Sequence, residues 1–296
     1  MRMILVHGIS QEGKSPERIR DEWLHPMRAS IDEFQRDALN SLTSIEAVFY
    51  GDLLAELSSS WMQARTLSMG AEQADDDFDE FAVGALEQMA SIIGVPREGI
   101  EAEVEGIVVP MGRGPHKKWL KAIARAIEKV SPFKGTLALR VLSQAHAYIR
   151  NQNVHDMVNQ VVRPAFETDE PVIIVSHSLG TVVSYAILRD FVRSGRPRQS
   201  PLWLTLGSPL GVEAIRKSFR LPRAKPKGVT RWVNAADPED FVALRLELDG
   251  TNYDADIENI VDVENGPDNP HDIAGYLTDK RVAKRIVESI RSVANP

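Results

Sequence analysis

The sequence predicts an α/β fold of about six strands joined by helices. Short apolar runs alternate with longer segments whose apolar residues recur every three or four positions, which is typical of strands joined by helices. The run from Val172 to Val175 is apolar at every position, as expected for a strand buried on both faces. The chain has 296 residues, 43% of them hydrophobic, and this is enough for a large core.

The composition excludes several classes of protein. A net charge of −7 argues against a nucleic-acid-binding protein, because such proteins usually carry an excess of positive charge. The chain has no Cys, which excludes disulfides, thiolate catalysis and cysteine-bound zinc. No two His residues are four positions apart, the spacing of a helical metal site. We therefore expect neither a metal nor a cofactor.

The sequence also suggests where the protein works. The N-terminal residues MRMILVHG enter an apolar strand at once and lack the features of a signal peptide. No apolar run approaches the roughly 20 residues that a membrane-spanning helix needs. We therefore expect a cytoplasmic protein, whose oligomeric state the sequence does not determine.

The first part of the predicted core has two strands and one helix. Met3–Val6 and Ser44–Tyr50 have the apolar, β-rich composition of strands. Between them, helical spacing predicts a single helix from about Pro16 to Leu39. The third strand arrives only at Pro171, and the gap of about 120 residues is far longer than a simple crossover between parallel strands requires.

Residues 52–150 are therefore predicted to be a helical insertion within a single domain that spans residues 1–296. Helical spacing indicates helices over Leu53–Met69, Phe78–Ile93, Lys117–Val130, Leu137–Ile149 and, in the crossover, Val154–Val162. Breaks are expected at Gly70, Pro96, Met111–Pro115 and Pro132. The helix over Lys117–Val130 surrounds its apolar stripe with basic residues. It could make peripheral contact with an anionic membrane, although packing on the protein's own core is the preferred interpretation.

The stretch PVIIVSHSLGTVVSYAILRDFV, residues 171–192, passes from strand to helix within about three residues. Ser178 lies at the turn, where its hydroxyl would stand clear of the sheet. Gly180 supplies the small residue that such a turn needs two positions later, and Ser176 stands where the G-x-S-x-G pattern has its first glycine. Here the sequence resembles the lipase and esterase branch of the α/β-hydrolase superfamily. The alternative is a buried strand followed by a helix with a serine cap.

This resemblance implies a serine hydrolase that cleaves carboxylic esters through a Ser-Asp-His triad. In the family, the acid follows a late strand and the histidine follows the last strand. Strands predicted over Pro201–Leu206, Val229–Ala235 and Glu258–Val263 complete the sheet. Asp237 and Asp240 follow the second of these and His271 follows the third.

The triad implied by the resemblance is Ser178, Asp240 and His271. Asp240 is preferred as the acid because its Asp-Phe-Val-Ala context resembles the family's Asp-x-Val-Pro turn. Asp237 remains the alternative acid, since it lies closer to the end of its strand. The resemblance also implies a mainly parallel sheet of about six strands with helices on both faces. It places the Met3 strand inside this sheet, beside the Pro171 strand.

The loop after the first strand contains two competing motifs. His7-Gly8 resembles the oxyanion loop of the family, which implies that the N–H groups of Ile9 and Leu179 bind the oxyanion. The segment Gly8–Ser15, GISQEGKS, also fits the G-x-x-x-x-G-K-[ST] pattern of a phosphate-binding P-loop. Glu12 would bring a carboxylate close to the phosphates, and no later strand ends in an Asp for Mg²⁺. A nucleotide-binding protein therefore remains the alternative, as does a non-catalytic interaction protein on a hydrolase fold.

The sequence says less about the substrate. Family caps occupy the place of the insertion, and the segment Val83–Val109 is unusually apolar for a surface loop. It could line a site for acyl chains, which would favour lipid-like esters and a lipase or phospholipase. It could equally be a helical core or a subunit interface.

Overall fold

The computed structural model describes the backbone of residues 1–105, 107, 115–130, 134–266 and 269–294. Within these ranges, the side chains of some residues are not described: 62, 64–77, 115–117, 134–137 and 294. The breaks predicted at residues 111–114 and at Pro132 lie outside the described residues.

The chain divides into two units. One, which we call the sheet unit, consists of Met1–Gly51, Met157–Gly211 and Phe219–Pro296. The other, which we call the helical unit, consists of Asp52–Asp156 and Val212–Ser218. The helical segment predicted between the second and third strands is confirmed.

The sheet has six strands, as predicted, and is parallel throughout. They are β1 (Arg2–Val6), β2 (Ser44–Val48), β3 (Val172–His177), β4 (Ser200–Leu206), β5 (Val229–Ala235) and β6 (Glu258–Ile260). Their order across the sheet is β2-β1-β3-β4-β5-β6, and every neighbouring pair runs parallel. The first strand therefore lies inside the sheet and beside the third, as expected. Because all strands run in one direction, the loops at their carboxyl ends meet at one edge, where α/β proteins commonly bind ligands.

Helices alternate with the strands along the chain. The described residues form α1 (Pro16–Ala29), α2 (Glu33–Asn40), α3 (Gly51–Ile92), α4 (Arg97–Glu105), α5 (Pro115–Val130), α6 (Lys134–Arg150), α7 (Gln152–Phe166), α8 (Leu179–Arg193), α9 (Glu213–Ser218), α10 (Ile273–Thr278) and α11 (Lys280–Ala294). A short 3₁₀ turn covers Pro209–Gly211. None of the helices in the described part of the chain is both long enough and apolar enough to cross a membrane.

The two faces of the sheet have separate cores. Helices α1, α2, α10 and α11 bury their apolar side chains against one face, to which Met3 and Ile173 belong. Alternate residues of a strand point to opposite faces. Accordingly Trp203, which lies between two strand residues of that first core, faces the other side and stacks on Tyr185 of α8 at 6.0 Å between ring centroids. The predicted layer of helices on each face is thus confirmed.

Two predictions about helices of the sheet unit have opposite outcomes. The prediction of a single helix over Pro16–Leu39 is wrong, because α1 ends at Ala29 and α2 begins at Glu33. Asp32 causes the restart: its carboxylate accepts from the N–H of Gln35, whose side chain accepts from the N–H of Asp32. The cap predicted for the last helix is confirmed, since Asp279 accepts from the N–H of Arg281 at 2.7 Å.

The helical unit is also less interrupted than predicted. The prediction of a break at Gly70 is wrong, because α3 runs from Gly51 to Ile92. The helix can continue through Gly70 since a glycine inside a helix costs only about 1 kcal/mol. Helix α4 was not predicted. Leu86, Met89 and Ile100 are all buried, so much of the apolar segment Val83–Val109 belongs to a helical core. Residues 108 and 109 lie outside the description.

Candidate active site

The turn between β3 and α8 is sharp, as predicted, and its backbone is strained. Strand β3 ends at His177 and α8 begins at Leu179, so Ser178 alone makes the turn. Its φ of 53° and ψ of −130° are unfavourable for a residue with a side chain and cost about 1–3 kcal/mol. The N–H of Ser178 donates to the carbonyl of Leu206 at 3.0 Å, which ties the turn to β4. Such strain is typical of functional sites.

The residues two positions before and after Ser178 have different roles. A methyl group at Gly180 would lie 2.2 Å from the carbonyl oxygen of Val6, so the turn requires glycine there. Ser176 instead uses its side chain: its hydroxyl donates to the carbonyl of Leu204 at 2.8 Å and accepts from the indole N–H of Trp203 at 2.9 Å. This buried pairing explains why a serine takes the place of the first glycine.

Three of the predicted residues lie in one line of hydrogen bonds. Nε2 of His271 is 2.9 Å from Oγ of Ser178, and Nδ1 of His271 is 2.8 Å from Oδ2 of Asp240. Since the carboxylate can only accept, Nδ1 carries the proton and Nε2 is the acceptor for the serine hydroxyl. All three residues are buried. A serine, a neutral imidazole and a carboxylate in this arrangement can activate the hydroxyl as a nucleophile.

The carboxylate of Asp240 is firmly held. Oδ1 accepts from the N–H of Val242 at 2.8 Å and of Ala243 at 3.4 Å, and Oδ2 accepts from the hydroxyl of Tyr276 at 2.6 Å. Burial by itself would raise the pKa of Asp240. The interaction with His271 and the hydrogen bonds outweigh burial, so the pKa is lowered and the carboxylate stays ionised at neutral pH.

Asp237, the alternative acid, lies elsewhere in the same loop. Its two oxygens accept from the N–H groups of Glu239 and Asn265, each at 2.7 Å. It therefore shapes the loop, and Asp240 rather than Asp237 contacts His271. The N–H of Asp237 donates to the hydroxyl of Tyr276 at 3.1 Å, which links the two aspartates through that tyrosine.

The loop after β1 lies directly over the serine. A methyl group at Gly8 would be 2.5 Å from Cβ and 3.0 Å from Oγ of Ser178. The carbonyl of Gly8 is bonded to Nδ1 of His7 at 2.6 Å; because a peptide group is planar and trans, the N–H of Ile9 points the opposite way. Leu179 is the first residue of α8, and its N–H has no acceptor within the helix. Both predicted N–H donors thus belong to segments that adjoin Ser178.

His7 and Tyr50 hold this loop in place. The N–H of Tyr50 donates to Nε2 of His7 at 3.2 Å, and its hydroxyl donates to the carbonyl of His7. Their rings stack at 4.2 Å. Burial lowers the pKa of His7 to about 4, so the ring stays neutral and can accept from Tyr50. Tyr50 was not predicted to belong to the site, because nothing in the sequence connects it to residue 7.

Two further residues support the histidine. The ring of His177 lies 4.6 Å from that of His271, and its Nε2 donates to the carbonyl of His271 at 3.0 Å. Burial lowers the pKa of His177 to about 3. Gly207 has a φ of 52°, and a methyl group there would lie 2.7 Å from Oδ2 of Asp240. Neither residue was predicted to support the site.

The residues of the P-loop pattern have other partners. Nζ of Lys14 lies 2.6 Å from a carboxylate oxygen of Glu22, and the hydroxyl of Ser15 caps α1 by accepting from the N–H of Arg18. Gly8 lies against Ser178. The two side chains that would bind phosphate and Mg²⁺ in a P-loop are therefore engaged within the protein.

Comparisons with protein-family models, with curated proteins and with solved structures found no match to this chain.

Proposed function

We propose that this protein is a serine hydrolase that cleaves carboxylic esters. The observation that carries the proposal is the hydrogen-bonded line from Ser178 through His271 to Asp240, with the serine on a strained strand-to-helix turn. A buried serine that only capped a helix would need neither the strained backbone nor a histidine aligned by a carboxylate.

The fold supports an assignment to the α/β-hydrolase superfamily. The parallel sheet has β1 beside β3, as the resemblance implies, so the loop after β1 reaches the serine turn. The acid follows β5 and the histidine follows β6, in the order of that superfamily. The lipase and esterase branch is the part of the superfamily that the sequence resembles.

In the proposed reaction, Oγ of Ser178 attacks the carbonyl carbon of the ester while its proton passes to Nε2 of His271. The carbonyl oxygen becomes an oxyanion, which the N–H groups of Ile9 and Leu179 stabilise. The C–O bond to the alcohol then breaks, and His271 returns the proton to the leaving alcohol. Water, deprotonated by His271, attacks the acyl-serine; the acid is released and the serine regains its proton. Asp240 orients His271 and stabilises its charged form throughout.

Hydrolysis of short-chain p-nitrophenyl esters by the purified protein tests this proposal. Ser178→Ala should lower the rate by several orders of magnitude. Equal rates for both proteins would contradict it. Labelling of Ser178 by a fluorophosphonate gives a second readout, and a folded protein that does not label would instead be a non-catalytic interaction protein.

The nucleotide-binding alternative has its own test. A rise in melting temperature with ATP or GTP and Mg²⁺ that is lost in Lys14→Ala would support a P-loop in place of the hydrolase. We expect no such rise, because Lys14 pairs with Glu22 and Ser15 caps α1.

We further propose that the substrates are lipid-like or acyl esters. Much of the apolar segment Val83–Val109 is a helical core, and the support is its residue Ile92, which is 45% exposed. Rates on p-nitrophenyl esters of increasing acyl-chain length test this proposal, because each methylene buried in the site contributes about 0.8 kcal/mol. A preference that rises up to about eight carbons supports a lipase or phospholipase. A maximum at acetate or butyrate would identify a small-ester hydrolase.

A further inference from the structure

The sheet unit carries a concentration of positive charge that the overall composition conceals. Residues 189–198 end α8 and lead towards β4, and residues 219–228 precede β5. Together these 20 residues contain six Arg, two Lys and one acidic residue, Asp190. Their net charge is +7, whereas that of the whole chain is −7. We call these two segments the basic surface.

The two segments lie against each other. Nη2 of Arg189 donates to the carbonyl of Arg220, and the guanidinium group of Arg189 lies 5.7 Å from the ring centroid of Phe219. Further along, a methyl group on Gly228 would be 2.3 Å from the carbonyl oxygen of Arg198. The basic surface is therefore continuous.

Most cations of the basic surface lack an acidic partner. Arg193 pairs with Asp190 at 3.2 Å and Lys225 pairs with Asp256. Within the described part of the chain the other six form no ion pair; they are Arg189, Arg196, Arg198, Arg220, Arg223 and Lys227. Uncompensated cations of this kind create a local positive potential, which attracts anions even to an acidic protein.

An apolar side chain projects from the same surface. Leu221 is 75% exposed, stands between Arg220 and Arg223, and is followed by the exposed Pro222. Cations beside a projecting apolar side chain match a bilayer with anionic lipids, whose headgroups attract the cations and whose acyl boundary accepts the leucine.

We propose that the basic surface docks the protein on a bilayer that contains anionic lipids, with Leu221 entering the headgroup layer. Single-stranded nucleic acid is a poorer match, because its bases stack on accessible aromatic side chains. The aromatic residues of the surface are already packed: Phe191 under Arg198 at 4.7 Å and Phe219 against Tyr185 at 4.8 Å. The docking does not depend on the proposed ester hydrolysis.

Flotation of the full chain with vesicles tests the proposal. The protein should float with phosphatidylcholine vesicles that contain about 30% phosphatidylserine, should not float with phosphatidylcholine alone, and should dissociate as salt is raised. Each neutralised cation should lower the partition coefficient about fivefold, so the triple variant Arg196→Gln, Arg220→Gln, Arg223→Gln should lower it about 100-fold. Leu221→Ser should weaken binding and leave its salt dependence unchanged.

The matched control neutralises three exposed cations of helices on the opposite face of the sheet: Arg28→Gln, Arg36→Gln and Lys284→Gln. It should bind within about twofold of the wild type. Ser178→Ala should also bind normally, which separates docking from hydrolysis. Equal flotation with both kinds of vesicle, no flotation with either, or equal losses in the two triple variants would overturn the proposal. So would salt-sensitive binding to single-stranded DNA without binding to vesicles.

Discussion

Removing the hydroxyl of Tyr276 tests whether the Asp240 carboxylate must be held in place as well as charged. Tyr276→Phe removes the 2.6 Å hydrogen bond to Oδ2 and leaves the N–H of Asp237 without its 3.1 Å acceptor. Oδ2 still accepts from His271, and Oδ1 still accepts from Val242. A hydrogen bond to a buried charge contributes about 1.5–3 kcal/mol and an unpaired buried donor costs about 1–3 kcal/mol. Together these two effects should lower the free energy of unfolding by about 2.5–6 kcal/mol.

The effect on catalysis should be distinct from that on stability. The hydroxyl lowers the pKa of Asp240, so its loss raises that pKa and leaves the carboxylate with fewer hydrogen bonds to fix its orientation. We expect kcat to fall about 10- to 100-fold, equivalent to about 1.4–2.8 kcal/mol. This is far less than the roughly 10⁴-fold loss expected when the acid itself is replaced by an amide. KM should change little, because Tyr276 contacts Asp240 and not the serine.

Steady-state kinetics on a p-nitrophenyl ester, together with urea denaturation, measure both effects. Tyr253→Phe is the matched control, since it removes another buried hydroxyl, which donates to the carbonyl of Leu210 at 2.9 Å. It should lower stability and leave kcat unchanged. A wild-type kcat in Tyr276→Phe, or equal losses of kcat in both variants, would refute a positioning role for Tyr276.

Three further predictions concern the same site. Gly8→Ala should lower kcat at least about 100-fold in ester hydrolysis, because the added methyl would lie 2.5 Å from Cβ of Ser178 and displace the loop after β1, which we propose binds the oxyanion. A wild-type rate would exclude that loop from the reaction. Asp240→Asn should lower kcat about 10⁴-fold and Asp237→Asn less than about tenfold, and the reverse order would identify Asp237 as the acid. His177 has a pKa of about 3 when folded, so below about pH 6.5 it binds a proton in the unfolded chain but not in the folded one. It should therefore lower stability by about 1.4 kcal/mol per pH unit, in addition to the contribution of His7, whose pKa is about 4. Urea midpoints between about pH 7 and pH 5 should fall less steeply in His177→Gln, and equal slopes would contradict a buried neutral His177.

The sheet could be predicted because each strand is recognisable from the composition of its own few residues. Residues of β1 and β3 are apolar almost throughout, and strands buried on both faces show that pattern without reference to the rest of the chain. The serine turn was predictable for a related reason, since a small residue at position 180 is needed wherever a strand turns so sharply into a helix.

Contacts between segments that are distant in the chain could not be predicted from the sequence. The Tyr50 hydroxyl reaches the carbonyl of His7 across 43 positions, and no periodicity joins two such residues. Ser176 departs from the glycine pattern, and the reason is its hydrogen bond with the indole of Trp203 on the neighbouring strand. The sequence does not show that these two side chains meet. Helix α10, which brings Tyr276 to Asp240, has only six residues, too few for a helical pattern to be recognised.

The close approach of Gly180 to β1 has a consequence for how the gene can vary. Every missense change in a glycine codon introduces a Cβ atom, and at position 180 that atom would lie 2.2 Å from the carbonyl oxygen of Val6 and 2.5 Å from that of His7. Both obstacles are backbone atoms of an interior strand and its loop, which cannot rotate away as a side chain can. A saturation library selected for folding should therefore accept glycine alone at codon 180, while codon 195, where a Cβ would meet nothing within 4 Å, should tolerate several residues despite its positive φ.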